Sequence, residues 1–246
     1  MKFKGIIFDI NGTLVDIWTD EGNEQIYRSI SQFLKFQGIR MHRQDVRDEY
    51  YRLMSAQKKA SGEEFPEFDA VGLWRSLLET RMPETCPIAK QKLRLLPQIL
   101  AEMYRAISLN RLQLFPQVQE IVKELAGEYA LAVVSDAQSA WALPEMRTLG
   151  IAGYFNPIVV SGDYGYRKPD ERLFRMALAG LKLEPSEVLF VGNDVYRDIY
   201  GAKRLGMKTV FFSSNSGQKS MDGVEPDYII YAFSEFRRAL AFLEGR

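Results

Sequence analysis

Two hydrophobic periods divide the chain. Phe3, Ile6, Ile7 and Phe8 form a short apolar run, broken only by Gly5, that stops at Asp9. Such a run has no helical period and predicts a strand buried on both faces. Asn11-Gly12-Thr13 follows, a turn signal. From Glu21 to about Leu109 the apolar residues recur at helical spacing. Ile26, Ile30, Phe33 and Leu34 mark one helix closed by Gly38, and Val46, Tyr50, Leu53 and Met54 mark a second. Val71, Trp74, Leu77 and Leu78 mark a third, finished before Pro83. Leu93, Leu96, Leu100, Met103 and Ile107 mark a fourth, which Pro97 should kink or divide. Amphipathic helices in series predict a small bundle, with the aromatic stripes as its core.

After Pro116 the period changes. Val118, Ile121, Val122 and Leu125 predict a helix ended by Gly127, and Ala130 to Val134 a buried strand. A helix over Trp141–Leu149, a strand at Ile158–Val160 and a helix over Leu173–Leu181 follow. Then come a strand at Val188–Val191, a helix over Ile199–Leu205 closed by Gly206, strands at Thr209–Phe212 and Tyr228–Ile230, and a terminal helix over Ser234–Glu244. Alternating strands and helices mean a parallel sheet covered on both faces, a doubly wound, Rossmann-like α/β fold. The first strand lacks a crossover helix of ordinary length, because the whole helical block follows it. Residues 1–16 plus 115–246 are therefore expected to form one α/β core, with 17–114 inserted as an all-helical domain beside its active edge.

Bulk composition narrows the function classes. Lys+Arg and Asp+Glu both total 32, so no net field favours nucleic acid or an anionic membrane. One cysteine, Cys86, excludes an internal disulfide and a multi-cysteine metal site. One histidine, His42, excludes a histidine metal cluster, and it sits in a polar connection where an exposed role is expected. No signal pattern opens the chain, and no run of about eighteen apolar residues could span a bilayer. A cytoplasmic protein is expected, and the sequence does not choose between a monomer and a homodimer.

Candidate chemistry lies at the strand ends. In a parallel sheet the residues just after each strand meet along one edge, where ligands collect. Here they are Asp9 and Asn11, Ser135-Asp136, and Asn193-Asp194 with Asp198, joined by Arg167-Lys168-Pro169-Asp170 at a helix start, with Pro169 expected at the first helical position. Asp9 and Asn11 could be turn formers, Ser135 and Asp194 helix caps, and Lys168 a solvated cation. Together, a carboxylate, a hydroxyl, a lysine and an acidic cluster suit phosphoryl chemistry on a hard cation such as Mg²⁺.

These residues resemble the motifs of the haloacid dehalogenase-like hydrolases. Asp9 to Asp16 is similar to the family's first motif, usually Asp-x-Asp-Gly-Thr. Val133-Val134-Ser135-Asp136 resembles the second, Arg167 to Asp170 the third, and Gly192-Asn193-Asp194 through Asp198 to Ala202 the fourth. The helical insertion resembles that family's cap of the first type. The resemblance implies a Mg²⁺-dependent phosphohydrolase acting on a small phosphorylated metabolite through an aspartyl-phosphate on Asp9. It implies that Ser135, Asp136 and Lys168 hold the substrate phosphate. It also implies that Asp9, the Asn11 carbonyl and the acidic cluster of Asn193, Asp194 and Asp198 hold the metal.

Two positions depart from the family pattern. Asn11 stands where the phosphatases carry the aspartate that protonates the leaving group and later activates water, and an amide cannot shuttle a proton. General acid–base catalysis contributes ~10²–10⁴-fold, or about 3–5 kcal/mol of barrier. Asn193 stands where a metal-binding aspartate is usual, with Asp194 beside it as a substitute. Three readings follow: a slow phosphatase, a dehalogenase-type hydrolase using the same nucleophile, and a ligand-binding member without turnover. Substrate selectivity should come from the cap, with Asp20, Arg40 and Arg43 as candidates.

Overall fold

The computed structural model describes residues 2–82, 88 and 90–245. In chain order, β1 (Gly5–Phe8) is followed by β2 (Val15–Thr19), then by α1 (Glu24–Phe36), α2 (Arg43–Ala60), α3 (Ala70–Arg81) and α4 (Lys90–Ser108), and by β3 (Leu109–Leu114). The rest alternates: α5 (Val118–Leu125), β4 (Ala130–Ser135), α6 (Ser139–Thr148), β5 (Ile158–Val160), α7 (Glu171–Leu181) and β6 (Val188–Gly192). A π-helical turn over Val195–Tyr200 runs into α8 (Gly201–Arg204), and β7 (Lys208–Phe212), β8 (Tyr228–Ile230) and α9 (Phe236–Glu244) complete the chain. Pro83, before which the third helix is expected to finish, and Cys86 lie outside the described residues.

Six strands form one sheet in the order β5-β4-β1-β6-β7-β8, every pairing parallel. The alternation of side chains explains why each strand reads as continuously apolar. Ile6 and Phe8 of β1, with Leu131 and Val133 of β4 and Leu189 and Val191 of β6, pack under α5, α6 and α9. Their neighbours Ile7, Ala132, Val134, Val188 and Phe190 face Leu173, Phe174 and Ala202 on the other side of the sheet. Successive residues of a strand point to opposite faces, so a strand covered on both must be apolar at both. The chain leaves β1 to build β4 and β5 on one flank and β6, β7 and β8 on the other, and ligands bind at such a switch point. The ends of β1, β4 and β6 lie side by side there, one strand spacing of about 4.8 Å apart.

The helical segment has its own core. Tyr50 and Tyr104 stack with ring centroids 4.4 Å apart, with Trp74 and Leu77 buried among the same residues. Trp141 of α6 belongs to this cluster, and its indole N–H donates to the Ala101 carbonyl at 2.8 Å. Gln138 clamps the segment's other end, donating to Phe68 O at 2.6 Å and accepting from Ala70 N at 2.9 Å. Asn23 caps α1, and exposed His42 caps α2 in a capping box with Asp45.

Three local expectations need correction, and one is narrowed. β2 and β3 pair antiparallel into a ribbon that the helical period did not reveal, and its first strand straddles the expected 16/17 boundary. Val15 to Thr19 is too short to declare a period. In β3 the apolar residues Leu109, Leu112 and Leu114 do not alternate strictly, although the exposed Asn110 and Arg111 identify an edge. Pro97 sits inside α4, so of the two expected outcomes the helix is not divided there. Pro169 is not the first helical residue, because Asp170 caps α7. The helix expected over 199–205 begins instead as the π-helical turn at Val195.

Candidate active site

The chain turns back sharply after β1. The N–H groups of Thr13, Leu14 and Val15 all reach the Ile10 carbonyl, at 2.9–3.1 Å. Gly12 adopts φ +83°, and a Cβ there would lie 2.4 Å from Asn193 Nδ2 and from Ser216 Oγ. Glycine is thus demanded by conformation and by close approach. The turn leaves Asp9 buried, 5% exposed, at the end of β1. One carboxylate oxygen accepts from Lys168 Nζ at 2.7 Å, and the other accepts from Thr13 Oγ1 at 3.1 Å.

Lys168 is the hub of the site. Its ammonium spends its three protons on Asp9 Oδ1, Asp198 Oδ1 at 2.6 Å and the Val134 carbonyl at 3.1 Å. Burial disfavours its charge, but Asp198, Asp9 and Asp136 outweigh burial and hold the ammonium above the ordinary lysine value. Asp198 is pushed up to about 7, first by burial and then by the charge of Asp9, with Lys168 opposing. Its second oxygen accepts from the N–H groups of Asn193 and Asp194, both at 3.0 Å. Two buried carboxylates against one ammonium leave the trio with a net negative charge that favours a cation nearby.

The remaining motif residues are placed as follows. Asp194 caps the π-helical turn, accepting from Arg197 N at 2.8 Å, and its second oxygen takes the Arg197 guanidinium and Gln218 N. Burial opposes ionisation of Asp194, but these donors hold its carboxyl below the ordinary aspartate value. Asn193 donates through Nδ2 to the Ser216 carbonyl and hydroxyl, and its Oδ1 accepts from Thr13. Asp136 accepts from Lys168 N at 2.9 Å and from Arg167 Nε at 3.4 Å, so its carboxylate fixes the Arg167-Lys168 loop. Among these motif residues, two polar atoms are buried without a hydrogen-bond partner: Ser135 Oγ and Asn11 Oδ1. An orphaned buried polar atom costs about 1–3 kcal/mol unless something satisfies it, which marks both as ligand-seeking.

A cavity of about 240 Å³ opens here, lined by Asp9, Asn11, Asp136, Lys168, Asn193 and Asp198 among others. Among the described residues no three acidic, histidine or cysteine side chains form a metal-ligating group. The side chains lining the cavity that could ligate a metal offer hard oxygens, from Asp9, Asn11, Asp136, Asn193, Asp194 and Asp198. They fit Mg²⁺, which needs only one or two protein carboxylates and takes its other oxygens from water and substrate phosphate.

The lobe residues Asp20, Arg40 and Arg43 are exposed and do not line this cavity. Lobe residues Glu64, Phe65 and Pro66 reach the sheet's edge instead, lining a second cavity with Tyr196 and Arg197. Sequence reading also missed Arg197, Thr13 and the segment Ser213–Gln218. The Ser/Gly-rich run Ser213-Ser214-Asn215-Ser216-Gly217, placed after β7 on the same edge, was the available signal. Among the described residues no helix is long and apolar enough to cross a membrane.

A strand-end carboxylate paired with a buried lysine at the switch point of a parallel sheet defines a class of hydrolase. The family model of the haloacid dehalogenase-like hydrolases matches residues 6–212, and the chain belongs to that family. It is 28% identical over 142 residues to a glyceraldehyde 3-phosphate phosphatase of Pyrococcus furiosus, across 57% of this chain and 59% of that protein. It is 28% identical over 155 residues to a phosphoglycolate phosphatase of Salmonella paratyphi A, across 62% of this chain and 61% of that protein. The matches thus span less than two thirds of these relatives. Among solved structures, a 2-haloacid dehalogenase from Pseudomonas syringae pv. Tomato superposes with a TM-score of 0.69 at 22% identity, covering 98% of this chain and 99% of that one. A HAD phosphatase from Thermococcus onnurineus gives 0.57 at 20%, covering 96% and 97%. At such identities the structural likeness establishes the fold.

Proposed function

We propose that this chain is a Mg²⁺-dependent phosphohydrolase acting on small phosphorylated metabolites, with Asp9 as nucleophile. The observation that carries the reading is the buried Asp9 carboxylate, held 2.7 Å from the Lys168 ammonium at the switch point of the sheet. The phosphatase names of the curated relatives support it. Within this proposal, residues 1–16 plus 115–246 are the hydrolase core and 17–114 the cap. A chain with a single cysteine and balanced charge suits a cytoplasmic setting without nucleic-acid or membrane partners.

An Asp9 oxygen attacks phosphorus, and the ester P–O bond breaks with its electron pair on the departing oxygen. The free Ser135 hydroxyl meets a phosphate oxygen, and the Lys168 ammonium, held against Asp9, keeps its positive charge beside the phosphate. Water then attacks the phosphorus of the aspartyl-phosphate, releasing inorganic phosphate and restoring Asp9. The first step receives no proton from position 11 and the second can pass none to it, the water's protons leaving on the phosphate and to solvent. Turnover is therefore slow and favours leaving groups that tolerate negative charge. Mg²⁺, when bound, supplies positive charge against the phosphate. Asp9, Asn11, Asn193, Asp194 and Asp198 would hold it, Asp194 and Asp198 only by giving up bonds they already accept from Arg197 and Gln218 and from Lys168.

A second reading, a family member that binds phosphates without turnover, is favoured by Asn11 itself. A screen of phosphate esters with Mg²⁺ separates the two. The proposal expects phosphate release by the wild type that is lost on chelation and absent in Asp9→Asn. Phosphate release that persists in Asp9→Asn, or no release from any ester, would reject it.

A further inference from the structure

The second cavity, about 540 Å³, shares Lys168, Asp194, Arg197 and Gly217 with the Asp9 cavity, so it adjoins the site where the phosphoryl group would react. We infer that this cavity is built to hold a planar aromatic leaving group, so that the favoured substrates are aryl phosphates. The inference rests on the phosphohydrolase reading above and deepens it.

Two aromatic rings and a proline form its apolar wall. Phe65 meets Tyr196 edge to face, with centroids 6.5 Å apart at 71°, and both are only partly buried. Tyr196 is backed by Tyr200, stacked at 5.8 Å and 13°, so its ring is braced from behind. Phe65 and Pro66 are held against the core by backbone bonds, Arg167 N to Phe65 O and Glu67 N to Gly165 O, both at 2.9 Å. The wall is thus fixed before any ligand arrives, which lowers the ordering cost of binding.

The charges rule out a different occupant. Arg167 and Arg197 line the cavity, but Arg167 pairs with Asp136 at 3.4 Å and Glu67 at 3.9 Å, and Arg197 with Asp194 at 2.8 Å and Asp136 at 3.7 Å. Lys168 is spent on Asp9 and Asp198. Among the described residues lining it, no cation is left for a second phosphate or a carboxylate on the substrate. What the paired guanidinium groups still offer is a flat face for stacking.

Leaving-group chemistry points the same way. With Asn11 in place of an acid, the departing oxygen keeps its negative charge. A phenolic oxygen, with a pKa of about 10, tolerates this far better than an alkyl alcohol does. The wall that stacks a ring and the site that lacks a proton donor therefore select the same substrates, although they arise from different residues.

The test compares naphthyl phosphate with acetyl phosphate, which also leaves without a proton donor but carries no ring. Each variant's ratio is read against the wild type's, so the more acidic acetyl leaving group cancels. In Phe65→Ala and in Tyr196→Ala, the ratio of kcat/KM for naphthyl over acetyl phosphate should fall about tenfold, the size of one ring-stacking contact, and through KM. Tyr196→Phe should keep the wild-type ratio. Calorimetry with the non-hydrolysable naphthylmethylphosphonate should show the same loss of affinity in both alanine variants. Equal losses on the two substrates, or none, would overturn the inference while leaving Asp9 as nucleophile. If the wild type hydrolyses neither substrate, the phosphatase reading fails, and the calorimetry still decides. Affinity unchanged in both alanine variants would then overturn the aromatic cavity.

Discussion

Lys168→Met should cost about 3–5 kcal/mol of folding stability, the range found when one partner of a buried ion pair is removed. Lys168 is 3% exposed, and its ammonium is all that separates the Asp9 and Asp198 carboxylates, bound at 2.7 and 2.6 Å. Methionine fills the volume of the stem but leaves two buried anions facing each other. For a chain of this size the melting temperature should fall by about 10 °C. The deficit should shrink as pH falls. Burial already pushes Asp198 up to about 7 beside the cation. A carboxyl whose folded pKa is raised takes up its proton in the folded state first, which adds stability on the acid side. Adding Asp198→Asn to Lys168→Met should restore much of the stability without restoring turnover, because the cation that meets the phosphate is still missing. Thermal melts across pH decide the matter. A melting temperature for Lys168→Met equal to that of the wild type would show that the trio is not held together by charge.

Asn11→Asp should raise the rate on alkyl phosphates more than on aryl phosphates, within the ~10²–10⁴-fold range of general acid catalysis. The wild-type amide cannot donate a proton, so the departing oxygen leaves as an anion. An aryl oxide tolerates that charge and gains little from an acid. An alkoxide does not, and gains nearly all of it. The backbone at position 11 is untouched by the change. The buried Asn11 Oδ1 has no hydrogen-bond partner, so no existing bond to that oxygen is broken. The measurement is kcat/KM on both ester types with saturating Mg²⁺. Equal gains on both, or no gain on either, would mean that the missing acid is not at position 11.

Much of this architecture was legible in the sequence, for identifiable reasons. The strands at 130, 158, 188 and 208 are apolar on both faces because both faces are covered, and such runs stand out against any helical period. Asp9 and Ser135 stand out because each ends a buried apolar run, and Lys168 and Asp198 because they belong to stretches that resemble the family's motifs. What could not be read was orientation. The sequence offers Asp194 to the metal, and it does not show that the same carboxylate caps the helical turn and takes the Arg197 guanidinium three residues on. The lobe gave the same difficulty. Its helices were visible by period, but which residues overlook the site depends on how the lobe docks against Trp141 and Gln138. That docking brings Phe65 to the edge and leaves Arg40 and Arg43 in solvent, a tertiary choice that no local pattern encodes.

The account turns on Asp9 as the atom donor that receives the phosphoryl group. Because Asn11 deprives the second step of its base, that covalent species should persist long enough to be caught. Acid-quenching the wild type during turnover of naphthyl phosphate with Mg²⁺, followed by peptide mass spectrometry, should find one phosphoryl group on the peptide that carries Asp9, and none in Asp9→Asn. Turnover without that adduct, or an adduct on any other residue, would contradict the account.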